Sequence, residues 1–213
     1  MTFRQVYQSL FKHYGPQHWW PAESPFEVMV GAVLTQNTAW SNVERAIANL
    51  KDNNCLSADQ ILAVPESNLA GWLRPSGYFN VKARRLRNFC QWYKDAGEYE
   101  AVRCLKTNLL RKQLLSVNGV GYETADDILL YAFERPVFVI DSYTRRLFNR
   151  LGLTEKDYGY ESLRETFEKS LPHNVKLYNE YHALIVVHAK EVCKKKPDCS
   201  RCCLSNDCFF YRN

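Results

Sequence analysis

Apolar residues recur along this chain at spacings of three and four. In PFEVMVGAVLTQN they fall at Phe26, Met29, Val30, Val33 and Leu34, which puts them on one stripe of a helix. The same period returns over 41–51, 80–93, 122–133, 143–151, 161–170 and 177–191, and a further helix is read as ending near Ser116. Sustained alternation is missing, and VFVID at 137–141 is the one run with the look of a strand. The pattern therefore predicts an all-α fold. Proline and glycine break it in GPQHWWPAESP (15–25), RPSGY (74–78) and ERPVFVID (134–141). Beyond Pro197 the helical period stops, so the tail must be held by something other than a large core.

Composition narrows the class. With 213 residues, 46% of them hydrophobic and 14% aromatic, the chain can bury a core unaided, as one domain or two small lobes. Its longest apolar runs, such as ALIVV at 183–187, are too short to span a bilayer. The opening MTFRQVYQSLFKHYG is interrupted by Arg4, Gln5, Gln8 and Lys12, unlike a signal peptide. A soluble cytoplasmic monomer is expected. The net charge is +5, and basic residues cluster in KARRLR (82–87) and KKK (194–196), which suits either a polyanionic partner or a solvated basic face.

Eight cysteines are spread unevenly: Cys55, Cys90 and Cys104 are scattered, and five lie in the last 21 residues. Cys193, Cys199, Cys202 and Cys208 form C-x5-C-x2-C-x5-C, with Cys203 a spare thiol of no assigned role. Crowding of this kind points to a metal or cluster site in a reducing compartment and away from a disulfide framework. Four thiolates so spaced can hold a 4Fe–4S cluster, and they can equally take zinc.

The stretch VNGVGYETADDILLYA combines a glycine-rich turn with the start of a helix. Glycines at 119 and 121 permit positive φ and close approach of the backbone to a ligand, so that the amides of Gly119, Val120 and Gly121 can face a phosphate. An ordinary helix–helix turn is the plainer reading. Asp126 and Asp127 are expected on the helix surface or in local hydrogen bonds. Asp141, just before the helix at 143–151, suits an N-cap.

Taken together, the turn, the helix after it, the proline-containing loop and Asp141 resemble the helix-hairpin-helix DNA glycosylases of the endonuclease III superfamily. The likeness extends through GAVLTQNTAWSNV, GYFNVKARRL and YHALIVVHAKEVC to the four cysteines, although the first cysteine gap is one residue shorter than the family's. It implies a six-helix barrel lobe over 22–130 and a second lobe from 1–21 plus 131–213, with double-stranded DNA containing a damaged base lying across the cleft between them. It implies a 4Fe–4S cluster on Cys193, Cys199, Cys202 and Cys208, and a catalytic carboxylate at Asp141. Where family members that also cut the abasic site carry lysine in GVG-x-K-T-A, this chain reads GVGYETA, with Glu123 at that position. A carboxylate cannot form an imine. Lys82 or Lys190 would have to replace it, and neither sits in a matching motif, so a glycosylase without lyase activity is expected.

Within the superfamily, WWP at 19–21, GAVLTQNT at 31–38 and RPSGYF at 74–79 resemble the 3-methyladenine DNA glycosylase branch. That likeness implies excision of alkylated purines and a base pocket drawn from Trp19, Trp20, Pro21, Trp40, Phe79 and Glu123. Indoles suit a cationic, flipped base through π contacts. Gln36 and Tyr78 match positions that wedge into the base stack, and phosphate contacts are expected chiefly from those of Lys82, Arg84, Arg85 and Arg87 that face outward, with Lys82 and Arg84 taken as DNA-binding. Some members of the branch lack the cluster cysteines, which leaves the substrate range open. The competing readings are a glycosylase for oxidised pyrimidines or mispaired bases, with or without strand cleavage, and a hairpin DNA-binding module with a structural cluster.

Overall fold

The computed structural model describes residues 1–212, and among these it contains helices, turns and no strand. In chain order the helices are α1 (Phe3–Tyr14), α2 (Pro25–Leu34), α3 (Trp40–Asp52), α4 (Ala58–Ala63), α5 (Glu66–Trp72), α6 (Phe79–Asp95), α7 (Glu98–Val102), α8 (Thr107–Ser116), α9 (Tyr122–Asp127), α10 (Ser142–Arg150), α11 (Tyr160–Ser170), α12 (Val175–Glu191) and α13 (Phe209–Arg212). A π turn, Ile128–Ala132, continues α9. Two compact units result: Ala22–Arg135, and Met1–Pro21 together with the chain from Pro136 onward.

The first unit is built round α2. Ser24 caps it by accepting a hydrogen bond from the Glu27 amide at 3.2 Å, and Pro25 opens its first turn. Every residue from Glu27 to Leu34 is buried, so the helix is covered on all sides, by α3, α6, α9 and the π turn. Helix α6 buries Ala83, Leu86, Phe89, Cys90 and Tyr93 along one stripe, and Lys82 lies on that stripe with them.

The second unit is packed with rings. Phe138 and Phe167 stack at 4.3 Å between centroids, and Phe3, Phe148, Tyr178 and Tyr181 pack round them. Helix α1 begins with a capping box between Thr2 and Gln5 and buries Val6 and Leu10. The strand-like run at 137–141 is extended and buried but pairs with no strand. Its amides go to side chains instead: Phe138 N–H donates to Glu168 Oε1 at 3.0 Å and Ile140 N–H to the Tyr160 hydroxyl at 3.3 Å.

Candidate functional site

Asp141 is the N-cap of α10, where its Oδ1 accepts the Thr144 amide at 2.7 Å. Its other oxygen lies 3.6 Å from His182 Nε2 on α12, and both side chains are buried. Burial by itself would raise the Asp141 pKa; the His182 ring, the Thr144 amide and the hydroxyl beside them outweigh it and hold the carboxyl below its ordinary value. A carboxylate results that is ionised at neutral pH and fixed in direction by a helix terminus. The sequence reading did not single out His182. Its signal was position, since Tyr178, His182, Ile185 and Ala189 follow one helical stripe, all buried.

In the hairpin, Gly119 and Gly121 have different roles. Gly119 has φ +100°, and a Cβ there would overlap Arg85 Cγ. Gly121 has φ −94°, in the extended range, and a Cβ there would meet nothing within 4 Å. The expectation that both use positive φ therefore holds for Gly119 alone. Gly121 is exposed, whereas Val120 is buried. Glu123 is exposed in the first turn of α9. Asp126 and Asp127 are not surface residues: both are buried, and Asp126 accepts two hydrogen bonds from Arg111, at 2.6 and 3.0 Å. Asn88 on α6 donates to the Asn118 carbonyl at 3.1 Å and pins the turn from outside.

Gln36 does not project as a free wedge. Its amide nitrogen donates to the Gly119 carbonyl at 3.0 Å and to Thr124 Oγ1 at 3.1 Å, while its oxygen accepts from Arg85. Its amide nitrogen is thus directed at the hairpin and its oxygen at α6. Tyr78, by contrast, is 71% exposed on a left-handed residue (φ 46°) at the start of α6, where it has the freedom that a wedge requires.

The basic segment of α6 divides in the same way. Lys82 was expected to contact phosphate, but it is 1% exposed, and its amine donates to the carbonyls of Leu34 at 2.9 Å and Ser76 at 2.6 Å. Burial and the nearby Arg85 charge lower its pKa to about 8. Arg87 donates to the carbonyls of Ile61, Leu62 and Val64 and so closes the C-terminal end of α4. Of this cluster, Arg84 is the side chain left open to solvent, its nearest acid Glu66 at 4.0 Å.

Trp19 and Trp20 are half-buried and meet edge to face at 5.9 Å, with Pro21 exposed beside them. These three belong to the unit that carries Asp141; Trp40, Phe79 and Glu123 belong to the other. Arg74 sits 5.6 Å from the Phe79 ring, a cation–π pair.

Cys193, Cys199, Cys202 and Cys208 line one small pocket, together with Leu147, Leu151, Val192, Leu204 and Phe210. Among the described residues, no three Cys, His, Asp or Glu side chains stand close enough to hold one metal ion. Four cysteines lining one pocket are the donor set that an iron–sulfur cluster or a zinc ion takes, so the residues present fit such a group. Burial raises the Cys202 thiol to about 11, partly offset by the Leu204 amide at 3.4 Å. The loop is gripped by two arginines one turn apart on α10. Arg146 donates to the carbonyls of Cys193 at 2.9 Å and Ala189 at 3.1 Å; Arg150 donates to those of Lys194 at 2.6 Å and Lys195 at 2.9 Å and to Cys193 Sγ at 3.3 Å. Here the exposed lysines of KKK are presented to solvent from a loop fastened by its backbone.

With this geometry in view, residues 30–173 match the sequence model of the HhH-GPD superfamily of base excision DNA repair proteins. The chain belongs to that superfamily and is a DNA glycosylase by class. A Methanocaldococcus jannaschii protein provisionally named as a DNA repair glycosylase is 49% identical over 207 residues, covering 96% of this chain and 94% of its own. Among solved structures, the H. pylori 3-methyladenine DNA glycosylase bound to 1,N6-ethenoadenine superposes with a TM-score of 0.79 at 29% identity, covering 90% of this chain and 98% of that one. A non-covalent endonuclease III–DNA complex gives a TM-score of 0.84 at 23% identity, covering 98% and 94%, which shows a shared fold.

Proposed function

We propose that this protein is a glycosylase without lyase activity that takes alkylated purines such as 3-methyladenine out of the DNA stack and hydrolyses their N-glycosidic bond. The observation that carries the reading is the pairing of an ionised, buried Asp141 with a carboxylate, Glu123, at the hairpin position where a Schiff-base mechanism needs lysine. Lys82 is no substitute nucleophile, because its amine is already given to two carbonyls. Likeness to the H. pylori enzyme supports the choice of base.

In this mechanism the base leaves with the electron pair of the C1′–N bond. An alkylated purine is cationic beforehand and departs neutral, so little acid assistance is required. Positive charge grows on the sugar, and the fixed Asp141 carboxylate stabilises it without reorganising. Water adds at C1′ and releases its proton to the carboxylate or to solvent. Trp19 and Trp20 are the rings offered to the flipped base, and Trp40, Phe79 and Glu123 are the further residues that the family likeness assigns to its recognition. Gly119 to Gly121 and Arg84 meet phosphates, and Tyr78 fills the gap in the stack.

The same reading puts a 4Fe–4S cluster on Cys193, Cys199, Cys202 and Cys208. When bound, it cross-links the C-terminal loop and can exchange one electron.

Incubation with methylated DNA and with oxidised-pyrimidine DNA tests the proposal. Release of 3-methyladenine without nicking is expected, and Asp141→Asn should lose turnover while retaining DNA affinity. Release of oxidised pyrimidines instead, or a borohydride-trapped adduct, would replace this reading with an endonuclease III-like one. Binding with no base released from either DNA would leave a hairpin binding module.

A further inference from the structure

Beside the cysteine pocket three polar side chains form a chain whose middle member is fully buried. His188, on α12, is 0% exposed. Its Nδ1 is 2.9 Å from the Tyr14 hydroxyl at the end of α1, and its Nε2 is 3.5 Å from Cys202 Sγ. Neither DNA binding nor base excision calls for this arrangement.

The direction of each hydrogen bond follows from valence. A thiolate bound to iron carries no proton and can only accept, so Nε2 must be the ring nitrogen that bears hydrogen. With hydrogen on Nε2, Nδ1 is left with a lone pair facing the Tyr14 hydroxyl at 2.9 Å, and that hydroxyl donates to it. Burial raises the Tyr14 pKa, which keeps that proton on the phenol. Tyr14 thus selects the tautomer that aims an N–H at sulfur. Of the four sulfurs, Cys193 meets the Arg150 guanidinium at 3.3 Å and Cys202 meets this neutral relay, supplemented by the Leu204 amide.

We propose that Tyr14 and His188 form a relay that tunes the cluster through Cys202, raising its reduction potential by stabilising the electron-richer state. Hydrogen bonds to cluster sulfurs are an established lever on potential, and outer-sphere partners commonly fix ligand orientation. The inference rests on the four-cysteine ligation proposed above.

The test uses the holoprotein as isolated, and begins with iron and sulfide content. Chains lacking iron would overturn the cluster assignment and the relay with it. With four irons present, His188→Phe should shift the midpoint potential downward in film voltammetry and move the Fe–S(Cys) stretching bands upward in resonance Raman spectra. His188→Gln, which keeps an amide donor near the Nε2 position, should restore both toward the parent values. Tyr14→Phe should shift both in the direction of His188→Phe, by less. Should His188→Phe fail to fold, Tyr14→Phe and His188→Gln decide the matter on the same two readings. An iron-replete His188→Phe or Tyr14→Phe with unaltered potential and bands would overturn the relay while leaving the cluster assignment intact.

Discussion

Single residues in this protein owe their properties to which neighbours face them. Asp141 is buried, yet it is held below its ordinary pKa by His182 and by the amide and hydroxyl of Thr144. A carboxylate depressed in the native state contributes its full stabilisation above the unfolded value of about 3.9 and loses it as pH falls through the lower native value. The stability difference between the parent and Asp141→Asn should therefore be flat above about pH 5 and shrink below about pH 4; chemical denaturation across that range checks it, and a difference that grows on acidification would contradict the geometry. Lys82 gives a second prediction. Lys82→Met strands the carbonyls of Leu34 and Ser76, at a cost of about 1–3 kcal/mol, but should leave the salt dependence of DNA binding as it was. Arg84→Ala should do the reverse, lowering the slope of log K against log salt by about 0.9 with stability nearly unaltered.

Among the elements, the hairpin and α10 each combine two duties. The hairpin is braced from beneath by Gln36 and Arg85, and Gly119 is required because the chain turns there with positive φ directly over the Arg85 stem. Gly119→Ala should destabilise the fold by more than about 1 kcal/mol, since the left-handed penalty and the overlap add. Gly121→Ala should leave the melting temperature close to the parent's, because its Cβ enters open space, and should instead weaken DNA binding by obstructing a phosphate. A comparison of thermal melts with binding isotherms separates the two. Helix α10 starts at Asp141 and, one turn apart near its other end, supplies Arg146 and Arg150 to the cysteine loop. The buried Asp141 carboxylate and the anchor of the loop are thus borne by one short helix.

For the whole molecule, the two units are stabilised by different means. The unit at 22–135 is an aliphatic core wrapped round α2; the other is an aromatic core with a tail that contributes little apolar burial of its own. Between Cys193 and Cys208 the buried residues are those two cysteines and Leu204, so the loop depends on its arginine contacts and, in the proposed reading, on a cluster held by the four sulfurs. Removing the proposed cluster by oxidation should expose the chain at Lys194–Lys196 to trypsin while most far-UV helical signal persists. Unchanged protection of that loop would mean that the arginine contacts suffice.

Much of this was legible in the residues themselves. Long helices declare themselves by period, so α2, α3, α6, α10, α11 and α12 lie within a residue or two of the runs that predicted them. Helices α4, α5 and α7, at five to seven residues, are shorter than two turns and leave no repeating period to read. The all-α class, the superfamily, the four-cysteine spacing and the glutamate in place of lysine are local facts of order along the chain, and the sequence by itself determined them. Charge in a helix is different: Lys82, Arg84, Arg85 and Arg87 are alike as a basic run, and only the packing of α6 decided that Lys82 and Arg87 would serve carbonyls, Arg85 a glutamine, and Arg84 the solvent. Likewise no spacing could reveal that His182 would face Asp141 or that Tyr14 would meet His188 across 174 positions. Partners distant in sequence are joined only when burial removes water as the alternative partner, and that is a property of the tertiary structure alone.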